Sequence, residues 1–356
     1  MKFTSAIIFL SLSACISPTF GKKRKDKADE IPSSLCDSDI QCGGGAYNGE
    51  VKLTEDLYCP SASGDCAIIL DGEDAVLDCN KYMIHGKRVD DSSLGNGICI
   101  RNGASSINCH VQKFGVGINV QNGGEVKDCK VVFNDYEGIR IQNEASSKTK
   151  IKISNTYVHD NDGSGIKYFG YDSENSETSI EVNNVKSNHN GGRGMYFAGE
   201  NVKLQVQVKD SETSNNSGSG IEISFYLAAS VDVELDGIIS RYNGDFGYQG
   251  SGVFLNGNMN MKVKGDVNLY KNGSEGIRAL GAAVVVEKQG ALNSCGHGTD
   301  IDNNGGGTFK GNGYTCTNVN PPGVNPSAVN PPDAPEENQP DTITCDPCPT
   351  CPSDDA

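Results

Sequence analysis

The sequence is poor in the residues that build the cores of compact α/β proteins. It contains no tryptophan, 7% aromatic residues and 36% hydrophobic residues in a chain of 356. Glycine is abundant instead, with 44 residues. This composition argues against two ordinary globular domains and favours a repetitive, turn-rich architecture.

Long apolar runs are also missing. No stretch reaches the ~18 apolar residues that a membrane-spanning helix needs, so no membrane span is expected. The apolar run from Ala6 to Leu12 follows a lysine and precedes small residues. This pattern predicts a signal peptide over residues 1–21 and a secreted, extracellular protein. The alternative is a bacterial lipoprotein anchored at Cys15, because residues 12–15 have the form of a lipoprotein cleavage site.

Positive charge is scarce. The formal net charge is −16 at pH 7 and the pI is about 4.7. No nucleic-acid partner is expected, because phosphate binding requires a basic surface. The basic run from Lys22 to Lys27 opens a segment, residues 22–34, that we interpret as a solvated, disordered arm. Attachment of this arm to an anionic wall polymer is the alternative.

The cysteines lie near the two ends of the mature chain. Thirteen of the 14 follow residue 21, as expected for an oxidising compartment, and none lies between residues 130 and 294. Residues 35–94 are therefore predicted to form a Cys-rich N-terminal cap with the first coil or coils. The Pro-rich residues 317–356 are predicted to be a disordered tail. Three cysteines close this tail, too few for a zinc site, and disulfides, including a cross-link to a partner, are the preferred interpretation: Cys345, Cys348 and Cys351.

One motif recurs through residues 95–316, which are predicted to form a β-helix with a C-terminal cap. An alternating apolar strand is followed by a polar turn, then by Asn, three residues and Gly, and by a second alternating strand, as in residues 151–168. Successive Asn residues are separated by 27, 29, 26, 27 and 29 positions. Stacked coils would place these residues in one buried ladder of side-chain amides: Asn134, Asn161, Asn190, Asn216, Asn243 and Asn272.

The repeat resembles that of the right-handed parallel β-helix superfamily, which shares the pectin-lyase fold. The resemblance rests on Asn at a fixed offset before Gly, with apolar residues at the first and third places after it, as in Ile166 and Tyr168. It implies an all-β, right-handed parallel solenoid of about eight coils. It does not imply an activity, because the superfamily includes lyases, glycosidases, adhesins and proteins without known catalysis.

In the sugar-acting enzymes of this superfamily, the substrate lies along an outer groove on one parallel sheet. The resemblance therefore directs attention to the second residue after each glycine, a row expected to point outwards and to be exposed. We give the name sheet A to the parallel sheet expected from the strands after these glycines, and call this row the sheet A row: Cys99, Asn119, Arg140, Lys167, Tyr196, Glu222, Phe254 and Arg278. Its candidate carbohydrate-binding residues are Arg140, Lys167, Tyr196, Glu222 and Arg278.

The row does not contain a complete catalytic set. Arg140 and Lys167 could act as bases, but Glu222 is the only carboxylate, whereas calcium-dependent lyases group several and glycosidases use pairs. We therefore favour a non-catalytic extracellular or cell-wall protein that binds carbohydrate or has a structural or adhesive role. The alternative is a polysaccharide lyase or hydrolase acting on acidic polysaccharide through Arg140, Lys167 and Glu222.

Two further expectations concern metal binding and N-glycosylation. No cofactor or metal is expected, with Ca²⁺ at Asp-rich turns such as Asp160 and Asp162 as the alternative. Of the two Asn-x-Ser/Thr sequences, Asn215 should carry a glycan because its neighbour Asn216 takes the ladder position, whereas Asn272 is itself a ladder residue.

Overall fold

The computed structural model describes residues 40–59, 66–87, 95–143, 148–170, 177–226, 230–244, 250–280 and 284–295, together with the backbone of 299–302 and 308–310. The predicted signal peptide, basic arm and Pro-rich tail lie outside these residues, as do Cys15, Cys345, Cys348 and Cys351. Within the described ranges the chain forms strands and turns and no helix. No described segment is therefore a helix that could cross a bilayer.

The strands form three parallel sheets, A, B and C, visited in turn by each coil. Sheet A has 11 strands: β1 (Ala46–Tyr47), β4 (Cys66–Asp71), β7 (Asn96–Arg101), β10 (Val116–Gln121), β13 (Ile139–Asn143), β16 (Ile166–Gly170), β19 (Met195–Glu200), β22 (Ile221–Tyr226), β25 (Val253–Asn256), β28 (Glu275–Leu280) and β31 (Thr299–Asp302). Sheet B has 11 strands: β2 (Glu50–Lys52), β5 (Val76–Asp78), β8 (Ser105–Ile107), β11 (Gly124–Lys127), β14 (Lys148–Ser154), β17 (Glu177–Asn183), β20 (Lys203–Lys209), β23 (Ser230–Asp236), β26 (Met259–Val263), β29 (Val284–Lys288) and β32 (Thr308–Lys310). Sheet C has 10 strands: β3 (Leu57–Cys59), β6 (Met83–Gly86), β9 (His110–Gln112), β12 (Lys130–Val132), β15 (Tyr157–His159), β18 (Lys186–Asn188), β21 (Glu212–Ser214), β24 (Ile238–Arg241), β27 (Val267–Tyr270) and β30 (Leu292–Cys295).

The predicted all-β parallel solenoid is confirmed. The eight coils read from the repeat are those whose sheet A strands run from β7 to β28. The sheets also extend into the segment predicted as the N-terminal cap, which contains β1 to β6. The first two strands, β1 and β2, are short and mostly exposed, so apolar alternation is weak in the sequence at the start of this segment.

The core consists of apolar columns that run from coil to coil. Side chains alternate along each strand, so the first and third residues after each glycine point inwards together. Ile139, Ile166 and Met195 pair in register in one such column and are fully buried. Each coil covers the apolar side chains of the next, and the core therefore forms only when coils stack.

Disulfides strengthen the N-terminal coils. Three join residues of the same or neighbouring coils: Cys42 with Cys59, Cys66 with Cys99, and Cys79 with Cys109. Cys295, in the last strand of sheet C, is also disulfide-bonded. Cys129 is a buried free thiol, and burial raises the pKa of this thiol to about 11. Such a thiol is almost wholly protonated at neutral pH and is a poor nucleophile.

The six ladder asparagines form a continuous hydrogen-bonded column at the corner between sheets C and A. The Nδ2 of each member from Asn134 to Asn243 donates to the Oδ1 of the next member over 2.8–3.0 Å. Each Oδ1 from Asn161 onwards also accepts a backbone N–H from the preceding member. The six side chains are at most 3% exposed. Their buried donors and acceptors are thus satisfied by the neighbouring coils.

The glycine of each coil is required by the ladder. A Cβ added to Gly138 would lie 2.8 Å from the Nδ2 of Asn161, and one added to Gly165 would lie 2.8 Å from that of Asn190. The backbone of these glycines does not have the left-handed conformation. A Cβ would also meet Val158 at Gly138 and Ser187 at Gly165, so close approach of the next coil, including its ladder amide, rather than backbone freedom explains the glycine.

The ladder predicts the effect of removing one amide. Asn161→Leu should lower the free energy of unfolding by about 1–3 kcal/mol, because the Nδ2 and the backbone N–H of Asn134 lose their acceptor and the Oδ1 of Asn190 loses one of its two donors. Denaturant unfolding measures the change. Asn183→Leu, at an exposed strand end, is the control. Equal stability of the two variants would contradict the structural role of the ladder.

The same burial predicts which glycosylation sequence is used. The Nδ2 of Asn272 donates to the carbonyl oxygen of Ser240 and its side chain is 3% exposed, whereas Asn215 is partly exposed. A glycan needs a solvent-accessible amide nitrogen. Secretion from a eukaryotic cell should therefore modify Asn215 and leave Asn272 bare, as judged by mass spectrometry of proteolytic peptides. A glycan on Asn272 of folded protein would place that residue outside the ladder.

Candidate functional site

The sheet A row lies on consecutive strands in register. Asn119 pairs with Arg140, Arg140 with Lys167, Lys167 with Tyr196, and Tyr196 with Glu222. Neighbouring parallel strands are ~4.8 Å apart, so the row presents one side chain per coil at that interval. A ligand lying across the strands would meet these residues one after another.

The expectation that the whole row is exposed is wrong at three positions. Cys99 is fully buried in its disulfide with Cys66. Asn119 is 3% exposed, and its Oδ1 has no hydrogen-bond partner in the described part of the chain. Glu222 is 8% exposed because the guanidinium of Arg193 covers it. The accessible part of the row therefore begins at Arg140.

Glu137 holds the two cations at that point. Its Oε2 accepts a hydrogen bond of 2.6 Å from Arg140, and its Oε1 accepts one of 2.7 Å from Lys167. The Glu137 side chain is 8% exposed, whereas those of Arg140 and Lys167 are 31% and 33% exposed. Burial acts to raise the pKa of Glu137, but hydrogen bonds from Lys167 and Arg140 outweigh burial and lower it. This carboxylate is therefore ionised at neutral pH.

A second cluster follows along the row. The Nε of Arg193 donates to Glu222 over 2.9 Å, and the Arg193 guanidinium lies 4.7 Å from the ring centre of Tyr196. Arg278 repeats this arrangement, with an ion pair to Glu275 and a guanidinium 5.8 Å from the ring of Phe254. Each guanidinium thus contacts both a carboxylate and an aromatic ring.

The carboxylates and the arginine that complete these clusters were not predicted from the sequence. Glu137, Arg193 and Glu275 all occupy the place immediately before the coil glycine. The recurrence of charge at that place was the available signal. Strand alternation could not place Glu137 and Arg193 beside the row, because both precede their sheet A strands, where the chain turns from sheet C to sheet A.

Sheet C carries a different surface. The rings of Tyr157 and His159 lie 4.2 Å apart, and Phe133 meets His159 edge-on at 6.0 Å. The Nδ1 of His159 contacts the Oδ2 of Asp160 at 2.5 Å. The opposite ring nitrogen, Nε2, is buried and has no hydrogen-bond partner among the residues that the structure describes.

Sheet B has neither the cation and aromatic clusters of sheet A nor the aromatic and histidine side chains of sheet C. Its outward residues are mostly charged or polar and form cross-strand pairs such as Lys150 with Glu181 and Lys264 with Glu234. Surface pairs of this kind contribute little to stability and are typical of a solvated face. Sheet A and the edge of sheet C are therefore the faces with binding chemistry.

The Asp-rich turn considered for calcium does not bring carboxylates together. Asp160 contacts His159, and Asp162 lies in the following exposed turn. No group of three or more His, Cys, Asp or Glu side chains in the described part of the chain could hold a metal ion.

Comparisons with known proteins agree on the fold. Residues 96–226 match the family of right-handed β-helix regions. Together with the parallel sheets, this match identifies a right-handed parallel β-helix. A search of curated protein sequences gives no match.

Solved structures align with much of this chain at low sequence identity. The A-module of a mannuronan C-5 epimerase from Azotobacter vinelandii is 12% identical, with a TM-score of 0.43 over 77% of this chain and 88% of that one. A pectate lyase is 13% identical, with a TM-score of 0.36 over 76% of each chain. The catalytic unit of an α-1,3-glucanase from Streptomyces thermodiastaticus is 15% identical, with a TM-score of 0.35 over 77% of this chain and 64% of that one. These values carry no argument about activity.

The burial of His110, which also lies on sheet C, predicts that the folded chain loses stability at acid pH. Burial, followed by the charge of Lys130, lowers its pKa from 6.5 to about 4. Below pH 6.5 His110 becomes protonated in the unfolded chain, whereas in the folded chain it stays neutral until the pH approaches 4. The contribution of neutral His110 to the free energy of unfolding is therefore fully present above pH 6.5 and is lost as the pH falls towards 4. This loss should amount to about 2 kcal/mol between pH 7 and pH 5.

Denaturant unfolding at both pH values tests the prediction. His110→Phe should reduce the pH dependence by that amount, whereas His189→Asn, which removes an exposed histidine, serves as the control. An unchanged pH dependence in His110→Phe would contradict it.

Proposed function

We propose that this chain is a secreted, non-catalytic β-helix protein that binds acidic polysaccharide along sheet A. The observation that carries the proposal is the sequence of Arg140, Lys167 and Tyr196 on three consecutive strands in register. Two cations and an aromatic ring, all partly exposed, are the groups that bind the carboxylates and the apolar faces of acidic sugars. The disulfides of the N-terminal coils are consistent with an extracellular location.

Local charge supports an anionic ligand. Arg140 and Lys167 share the single carboxylate of Glu137, so this cluster keeps one net positive charge. The chain as a whole carries −16. A positive site on a strongly acidic protein would select an anionic polymer at that site and repel it elsewhere.

The strand spacing suggests the direction of the polymer. A polysaccharide that runs across the strands would meet a residue of the sheet A row about every 4.8 Å, from Arg140 through Lys167 to Tyr196. A polysaccharide that runs along one strand would meet only one residue of the row. Binding across the strands therefore uses all three side chains.

The pairing of carboxylates favours binding over catalysis. Glu137, Glu222 and Glu275 each contact an arginine. A general acid must be protonated before it acts, whereas the lowered pKa of Glu137 keeps that group ionised. The alternative, a lyase or hydrolase using Arg140, Lys167 and Glu222, would require Glu222 to leave its arginine.

Opposite charge changes in one cluster test the proposal. Lys167→Gln should weaken binding to polygalacturonate by about fivefold, the effect of ~1 kcal/mol, because it removes the net positive charge. Glu137→Gln should strengthen binding and steepen its salt dependence, because it frees both cations. Isothermal titration at low ionic strength measures both changes.

Lys150→Gln on sheet B changes the net charge equally and is the control for Lys167→Gln. Equal binding by these two variants would contradict a site on sheet A. The same samples are monitored for unsaturated products and new reducing ends. Either product would replace the binding proposal with the catalytic alternative.

A further inference from the structure

The charged side chains beside the sheet A row are grouped at every second pair of strands. Three groups, which we call the cation clusters, each join two neighbouring strands of sheet A: the first joins β13 to β16, the second β19 to β22, and the third β25 to β28. Their members, in that order, are Glu137, Arg140 and Lys167; Arg193, Tyr196 and Glu222; and Phe254, Glu275 and Arg278. Successive clusters are therefore two strand spacings apart, which is ~10 Å.

The residues just before the coil glycines follow the grouping of the clusters. Serine takes this place in the three coils that supply β16, β22 and β25: Ser164, Ser219 and Ser251. The Oγ of Ser164 accepts the backbone N–H of Arg193, and the Oγ of Ser251 donates to the carboxylate of Glu275. These serines thus hold the charged turns of the neighbouring coils and add no charge of their own.

In the second and third clusters, each cation is more exposed than its carboxylate. The side chains of Arg193 and Glu222 are 42% and 11% exposed, and those of Arg278 and Glu275 are 23% and 13% exposed. Glu222 accepts from two nitrogens of the Arg193 guanidinium, which carries five N–H groups. No other residue in the part of the chain that the structure describes accepts from this guanidinium. A ligand on sheet A therefore meets the positive end of each ion pair and the donors that remain.

The spacing of the clusters determines which sugars of a polysaccharide they can contact. One sugar residue of an extended polysaccharide is about as long as one strand spacing. Two strand spacings separate the clusters, so consecutive sugars cannot each lie at one. In an extended chain with a twofold repeat, neighbouring sugars turn opposite sides to a surface and alternate sugars turn the same side. The anionic groups that meet the clusters are therefore those of every second sugar.

We propose that sheet A recognises a polysaccharide that presents one anionic group to it from every second sugar, with one such group at each cation cluster. This inference rests on the proposed function, because it requires an acidic polymer lying across the strands of sheet A. It adds Arg193 and Arg278 to the residues that determine specificity. The rings of Tyr196 and Phe254 lie beside the two guanidinium groups and favour their position over the row. Several weak contacts with one polymer combine into a stronger interaction.

A series of oligogalacturonates of two to six residues tests the spacing, with affinities measured by isothermal titration at low ionic strength. Two sugars can reach one cluster, three can reach two clusters, and five can reach all three. Affinity for the wild-type chain should rise about fivefold from two to three residues and again from four to five, the effect of one exposed ion pair. The changes from three to four and from five to six residues should be less than about twofold, because no cluster is added.

Paired substitutions remove one cluster without changing the net charge. Arg193→Gln combined with Glu222→Gln should abolish the rise from two to three residues and keep a rise at five, because the first and third clusters remain. Arg278→Gln combined with Glu275→Gln should abolish the rise at five residues and keep the rise at three. The two patterns are distinct, and thermal unfolding verifies that each variant is folded.

Lys150→Gln combined with Glu181→Gln is the matched control. It removes an ion pair of the same charges from sheet B, where the two side chains are joined over 2.7 Å. This variant should keep both rises of the wild type. Arg193→Lys, which retains a cation beside Glu222, should keep the rise at three residues.

An affinity that rises evenly with length would overturn the two-sugar spacing, as would a paired variant of the second or third cluster that lowers affinity equally at every length. Binding of polygalacturonate that depends on Lys167 would in that case still support the proposed function. Absence of binding by every oligomer and by polygalacturonate would overturn the proposed function and this inference together.

Discussion

The contact between a ladder amide and the glycine of the preceding coil is the constraint on which the rest of the structure depends. The Nδ2 of Asn161 occupies the space that a Cβ at Gly138 would need, and the same relation holds between Asn190 and Gly165. Each amide is also hydrogen-bonded to its neighbours on both sides. One coil therefore cannot shift along its strand direction without breaking hydrogen bonds in two others. This locks the register of the apolar columns as well as that of the outward rows.

The register between coils determines which side chains of the repeat form each surface. Because equivalent positions stack, a single side chain per coil becomes a row, and each sheet acquires its own chemistry. Sheet B pairs opposite charges, sheet A combines cations with aromatic rings, and the edge of sheet C exposes aromatic rings beside a histidine. A stacked fold can thus vary its binding surfaces while the inward columns remain unchanged.

Electrostatic pairing shapes what the sheet A surface can do. Glu137 is buried under two cations, and Arg193 covers Glu222, so these carboxylates orient basic groups instead of standing free. Such pairs are costly to break when one partner is buried, which keeps the arginine and lysine side chains in place. Preorganised cations lose less conformational entropy when a ligand binds. The arrangement favours recognition of a charged polymer over proton transfer.

The sequence by itself determined the strand repeat, the parallel solenoid and the residues that face inwards. These features depend on period-two alternation and on a constant coil length, both of which are local and repeated. It also identified Arg140, Lys167 and Tyr196 as neighbours in one row. The tertiary structure alone decided that Cys99 and Asn119 are covered, that Glu137 joins Arg140 and Lys167, and that Phe133 meets His159 at a corner. The reason is that side-chain directions in turns follow no fixed period, so contacts around a corner or between coils depend on the folded backbone.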